Sequence, residues 1–191
     1  MEKIILASGS PRRNELLHLA GIPFETVIPN VDESCSLPAV NAVAILSERK
    51  ARAVGSEFPG RYILAADTLV SVDGNALGKP HDEADAVRML RLLSGRTHQV
   101  YTSVTVLSPM GSVITKTDGS DVTFSELSAD EIRSYVASGE PMDKAGAYAL
   151  QGRASLWITR VEGSFSSVIG LPMHLVRELL LFSGYSFERD L

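Results

Sequence analysis

The stretch Lys3-Ile4-Ile5-Leu6-Ala7-Ser8-Gly9-Ser10-Pro11-Arg12-Arg13 holds a strand, a loop and the first turn of a helix. Lys3 to Ala7 is the short apolar run of a buried strand. Ser10 is a good N-cap and Pro11 suits the first helical position, so a helix is expected from Pro11 to Ala20, stopping at Gly21. Arg12 and Arg13 then fall in its first turn, where the helix dipole favours carboxylates instead. Either an anion normally sits among the free N–H groups, the hydroxyls of Ser8 and Ser10 and the two guanidinium groups, or the arginines point into water. Strand, loop and helix in this order suit phosphate.

The same alternation continues outward, which predicts an α/β protein. Phe24 to Ile28 reads as a second strand. Pro38 to Gly55 carries Val40, Val43, Ala44, Ala51 and Val54 at helical spacing. Arg61 to Val72 is the strongest strand pattern in the chain, followed by a helix over Asp82 to Leu93. Gln99 to Leu107 alternates at period two, Ser108 to Ser112 reads as a hairpin loop, and Val113 to Phe124 as its return strand. Ser128 and Glu131 form a capping box for a helix over Ser128 to Ser138. Leu156 to Val161 is a late strand, and Pro172 to Phe182 a closing helix with proline in its first turn.

With 191 residues, the chain is expected to form one domain, over residues 1–191, large enough for a sizeable core. Aromatic residues make up 6% and the net charge is −5, which disfavours a nucleic-acid partner. The N-terminal apolar run is too short for a signal peptide and no 18-residue apolar stretch follows, so no membrane partner and a cytoplasmic location are expected. Cys35 stands alone, which excludes an intrachain disulfide. His18, His81, His98 and His174 show no ligand spacing and read as surface or satisfied side chains. There is no dinucleotide fingerprint, nucleophile elbow or His-Glu-x-x-His motif, and Gly74 to Lys79 lacks the spacing and hydroxyl of a phosphate loop.

Several polar residues stand out. Asp67 lies in the middle of the apolar strand beside Thr68, so it needs a partner, a metal or a strand-end position. Glu33 is a weaker carboxylate candidate in a loop. Lys79 in Gly78-Lys79-Pro80 and Lys144 in Asp143-Lys144-Ala145-Gly146 sit beside turn residues that expose the backbone, whereas Lys50 on a helix says little by itself. Gly163-Ser164 and Gly170-Leu171-Pro172 place glycine near the last helix, either to let backbone approach a ligand or a strand or for packing alone.

Together, Leu6-Ala7-Ser8-Gly9-Ser10-Pro11-Arg12-Arg13, Ala66-Asp67-Thr68, Gly78-Lys79-Pro80, Ser94-Gly95-Arg96-Thr97-His98, Asp143 to Tyr148 with Gln151-Gly152, and Gly170-Leu171-Pro172 resemble the Maf family of nucleoside triphosphate pyrophosphatases. The resemblance implies an elongated mixed β-sheet flanked by helices, in two lobes around a central cleft. It implies cleavage of a nucleoside triphosphate to the monophosphate and pyrophosphate, a divalent metal (magnesium or manganese) and a homodimer. Arginine, threonine and glutamine at Arg12, Thr68 and Gln151 resemble the dTTP/UTP branch, whereas a branch acting on 7-methyl-GTP carries tryptophan, glutamine and glutamate. Ser164 to Ser167 departs from members with histidine or asparagine near that point. A nucleotide-binding regulator of septum formation with slow turnover is the other class implied.

The resemblance implies site roles as well. Asp67 matches the catalytic aspartate and is expected to be the general base, with Glu33 helping to hold the metal; the two could exchange roles. Ser8, Ser10 and Arg13 are expected on the phosphate chain, with Lys50, Lys79 and Lys144 adding charge and Lys79 foremost. Thr68 and Gln151 are expected to read the base, and Arg12 to bind substrate. Gln151 offers both a donor and an acceptor, and the Thr68 hydroxyl can be either.

Overall fold

The computed structural model describes residues 1–188. Strand β1 (Ile4–Ala7) pairs in parallel with β2 (Phe24–Val27) and with β3 (Ile63–Val72). Its residues are fully buried, as expected of an apolar run covered on both faces. β4 (Asn75–Leu77) folds back antiparallel onto the end of β3. It escaped the sequence reading because three residues after Asp73-Gly74 are too few to show a period. β5 (Thr97–Leu107) and β6 (Val113–Phe124) form the expected hairpin, and β7 (Ile158–Glu162) closes the sheet in the order β2-β1-β3-β5-β6-β7. This is the α/β class with a mixed sheet.

One side of β3 is covered by β5 from Ile63 to Ser71. On the other side β1 reaches only Ala65, and β4 begins only at Val70. The edge across Ala66–Leu69 therefore has no strand beside it. This break in the sheet separates two packed regions. Toward β1, the core gathers Ile4, Leu6, Leu17, Leu64 and Leu179. Toward β4, it gathers Val70, Leu90, Val100, Phe124, Tyr135 and Trp157.

Helices cover both faces. α1 is Pro11–Leu19 and α2 Ala39–Glu57, which packs on β3 and β5. The buried residues of α2 are Ala39, Ala42, Val43, Leu46, Ser47, Lys50, Ala51 and Val54. Val43, Ala51 and Val54 of the expected stripe are buried, Val40 is exposed, and Lys50 lies on the same core face, seven residues after Val43 and four before Val54. α3 (Glu83–Leu93) buries Leu90 and Leu93, worth about 1.5–3 kcal/mol each. α4 (Ala129–Val136) starts at the capping box of Ser128 and Glu131. α5 (Phe165–Ile169) is a short extra helix before α6 (Met173–Phe182). Between α4 and β7 the chain runs through short 3₁₀ turns, one of which takes Leu156 out of the expected strand.

One of those turns docks against the lobe carrying β4. Gly146 donates its N–H to the Gly78 carbonyl at 3.0 Å. Its φ is +67°, and an added Cβ would lie 2.7 Å from Val70 Cγ2. Gly146→Ala is expected to lower stability by about 2–4 kcal/mol, from left-handed strain and overpacking together. The urea midpoint measures it; an unchanged midpoint would contradict this docking.

Candidate active site

The break beside Ala66–Leu69 opens into a cavity of about 720 Å³. Ser8, Gly9, Ser10, Arg12 and Arg13 line it from the β1–α1 loop, and Glu33, Lys50, Asp67, Thr68, Lys79 and Lys144 line it too. The register places β1 and α1 at one end of the break and β4 at the other. The lining also holds an apolar set, Leu69, Val70, Met89, Val100, Tyr148 and Val168, beside the charged Lys79, Asp85 and Arg88. The protein as a whole is acidic, yet this cavity concentrates its cations.

At the centre, Lys50 Nζ donates to Asp67 Oδ1 at 2.5 Å and lies 2.9 Å from Glu33 Oε1. The Lys50 and Asp67 side chains are 7% and 9% exposed, so the pair is buried. Burial pushes the Asp67 carboxyl above its ordinary range, against the opposing pull of Lys50 and Arg13. For Glu33, desolvation is outweighed by the bond and charge of Lys50, aided by Lys79 and Arg13, and its carboxyl is held low. Two neighbouring carboxylates are thus driven apart in proton affinity, which is how environments separate acid–base roles. The partner that a buried Asp67 needs is present, and Lys50 supplies it. Helical spacing carries the signal: Lys50 stands seven residues after Val43 and four before Val54, on the face that α2 buries.

Ser10 is the N-cap of α1, but its side chain makes no cap bond. The cap reading is corrected in that respect: Ser8 Oγ instead accepts from the Ser10 N–H at 3.2 Å. The first-turn N–H groups of α1 therefore keep no side-chain partner from Ser10, as an anion site needs. Arg13 is half-buried, and its guanidinium is engaged by protein instead of pointing into water. Its Nη1 donates to Ser8 Oγ at 3.0 Å, its Nη2 to Thr68 Oγ1 at 3.2 Å and its Nε to the Gly170 carbonyl at 2.8 Å. Burial pulls the guanidinium below its ordinary value, with Asp67 opposing. Gly170, at φ +122°, brings its backbone within reach; an added Cβ would sit 3.4 Å from Thr68 Oγ1. Ser8 Oγ accepts twice, from Arg13 and from Ser10, so its own proton is free for a ligand oxygen.

Arg12 and Lys144 meet at Asp143. Arg12 Nη1 is 3.7 Å from one carboxylate oxygen, and Lys144 Nζ donates to the other at 2.6 Å. Lys79 is exposed at the rim. Gln151 is exposed and stands outside the lining, which ends at Leu150 on that segment. His81, Asp85 and Arg88 join the lining without having been anticipated; Asp85 accepts from the His81 N–H and from Arg88. Only the start of α3 marked their position. His98 is half satisfied: it is buried, its Nε2 is 2.7 Å from Tyr148 Oη while its Nδ1 has no partner among the described residues, and burial pushes its pKa down to about 4. Cys35 is exposed.

Among the described residues no helix is long and apolar enough to cross a membrane. The Staphylococcus aureus Ham1 protein shares the fold, with a TM-score of 0.54 at 14% identity over 95% of this chain and 99% of that one. Two curated relatives are called dTTP/UTP pyrophosphatase. One, from Bacillus cereus, is 48% identical over 96% of this chain and 91% of its own length. The other, from Bacillus mycoides, is 50% identical over 96% and 97%. The profile of the family described as Maf-like protein matches residues 3–181, and with relatives this similar along their length, the chain belongs to that family.

Proposed function

We propose that the chain is a nucleoside triphosphate pyrophosphatase acting on dTTP and UTP, as the names of its relatives indicate. The observation that carries this reading is the single cavity that joins a buried Asp67–Lys50–Glu33 group to the cation-rich opening of α1. A triphosphate fits it by charge, and the apolar lining residues Leu69, Val70, Val100 and Tyr148 offer walls for a base. Water attacks the α-phosphorus, the bond to the β-phosphate oxygen breaks, and the monophosphate and pyrophosphate leave. Such chemistry is mostly positioning and charge neutralisation.

Asp67 is the general base, and its raised proton affinity suits the task. Lys50 keeps that carboxylate ionised and aligned. Ser8 donates its free proton to a phosphate oxygen, with Arg13 holding it in place. Arg12, Lys79 and Lys144 receive the outer phosphates, Arg12 and Lys144 exchanging Asp143 for them. The first-turn N–H groups of α1 add backbone donors.

Magnesium or manganese fits the donor set. Asp67 Oδ2 and Glu33 Oε2 have no protein partner among the described residues, and Lys50 engages only the other oxygen of each. Among those residues no group of three or more His, Cys, Asp or Glu gathers for an all-protein site, so an ion here takes its remaining ligands from phosphate and water, as magnesium commonly does. When bound, it neutralises phosphate charge and lowers the pKa of a coordinated water.

A panel of nucleoside triphosphates with product identification tests this. UTP and dTTP are expected to yield monophosphate and pyrophosphate over many turnovers, with loss under chelator and recovery on adding magnesium. Release of orthophosphate with UDP would overturn the reaction. Stoichiometric binding without turnover would favour a nucleotide-binding regulator.

A further inference from the structure

Resting on the dTTP/UTP reading, the geometry points to Thr102 as a positioning residue that makes Thr68 an acceptor-only contact in the cavity, and so selects a base edge bearing an N–H. The argument is a count of protons. Thr102 Oγ1 lies 2.8 Å from the Ser167 carbonyl and 2.9 Å from Thr68 Oγ1. A carbonyl oxygen only accepts, so the single hydroxyl proton of Thr102 goes to Ser167. The contact between the threonines then needs its proton from Thr68. Arg13 Nη2 donates to Thr68 Oγ1 at 3.2 Å and occupies one of its lone pairs. The order is therefore fixed from end to end: Arg13 N–H to Thr68, Thr68 O–H to Thr102, Thr102 O–H to the Ser167 carbonyl.

Both ends of this chain are held. Arg13 can only donate, and it is anchored to Ser8 and to the Gly170 carbonyl. Ser167 belongs to α5, and both it and Thr102 are fully buried, so no water competes for the donors. Thr68 lies at the middle of the break in the sheet, on the cavity wall. There it offers one lone pair and no proton.

A ligand group facing that lone pair must donate. Uracil and thymine carry an N3–H; cytosine carries a lone pair at N3 and would meet oxygen against nitrogen with no proton between them. The expectation that the Thr68 hydroxyl serves as either donor or acceptor is thereby narrowed. Thr102 does this without touching substrate.

The experiment compares kcat/KM for UTP and CTP in wild type, Thr102→Val and Thr102→Ser. Valine removes the acceptor for the Thr68 proton, which then turns toward the cavity. The UTP:CTP ratio is expected to fall roughly 5- to 20-fold, the worth of one misplaced buried hydrogen bond. Serine restores the chain, and the ratio should return to within about twofold of wild type. A Thr102→Val enzyme that loses UTP and CTP turnover in equal proportion assigns Thr102 a packing role and overturns the inference. Should valine prevent folding, Thr102→Ala repeats the comparison in a smaller side chain, and an unchanged ratio there also overturns it. Wild type that fails to turn over UTP at all would instead defeat the pyrophosphatase reading.

Discussion

Asp67→Asn should lower kcat by roughly 10²–10⁴, the usual worth of a positioned general base. The substitution keeps shape and volume, and its amide can no longer take a proton from water. Wild type should also show an acidic limb in its pH–rate profile. Burial raises the Asp67 carboxyl, so the limb is expected above the ordinary aspartate range, with the rate rising as the group ionises. In Asp67→Asn that limb should vanish from the residual rate. A correctly folded variant with near-wild-type turnover would exclude Asp67 as the base and turn attention to Glu33, whose low proton affinity suits charge better than proton transfer.

Lys50→Met should affect stability and rate together. The ammonium is the only protein donor to Asp67 among the described residues, and both side chains are buried. Removing one partner of a buried ion pair costs about 3–5 kcal/mol, because the remaining charge stays out of water. Asp67 already has a raised proton affinity in the folded protein, and loss of Lys50 raises it further. A carboxyl that binds its proton more tightly when folded makes stability fall as pH rises between its unfolded and folded pKa values. The variant should therefore be least stable relative to wild type near neutrality and recover on mild acidification. Its kcat at pH 7 should drop by at least about 100-fold, with the acidic limb moved to higher pH. Denaturant midpoints across pH 5 to 8, beside the pH–rate profile, read both effects. An unchanged midpoint and limb would show that Lys50 does not govern Asp67.

Much of the fold was legible because its longest elements carry their own periods. β3, β5 and β6 announce themselves by apolar or alternating runs, and α4 by its capping box. β4 and α5 are too short to show a period, and the 3₁₀ turns after α4 depend on tertiary contacts such as Gly146 with Gly78. In the site, Asp67 was visible as a charge within an apolar strand. Its partner was passed over, since a lysine on a helix reads as solvated, although Lys50 is in phase with the buried Val43 and Val54. The direction of the Arg13–Thr68–Thr102 chain lay out of reach, for its bonds join residues 34 to 65 positions apart. Gln151 shows the reverse case, a residue singled out by resemblance that the fold leaves on the surface beyond Leu150.

The gap in pairing along Ala66–Leu69 bears on how this pocket can change over generations. Peptide groups left bare there belong to the main chain, which every amino acid other than proline supplies alike. Side chains around them can drift and retune selectivity, while that strip of donors and acceptors is inherited intact.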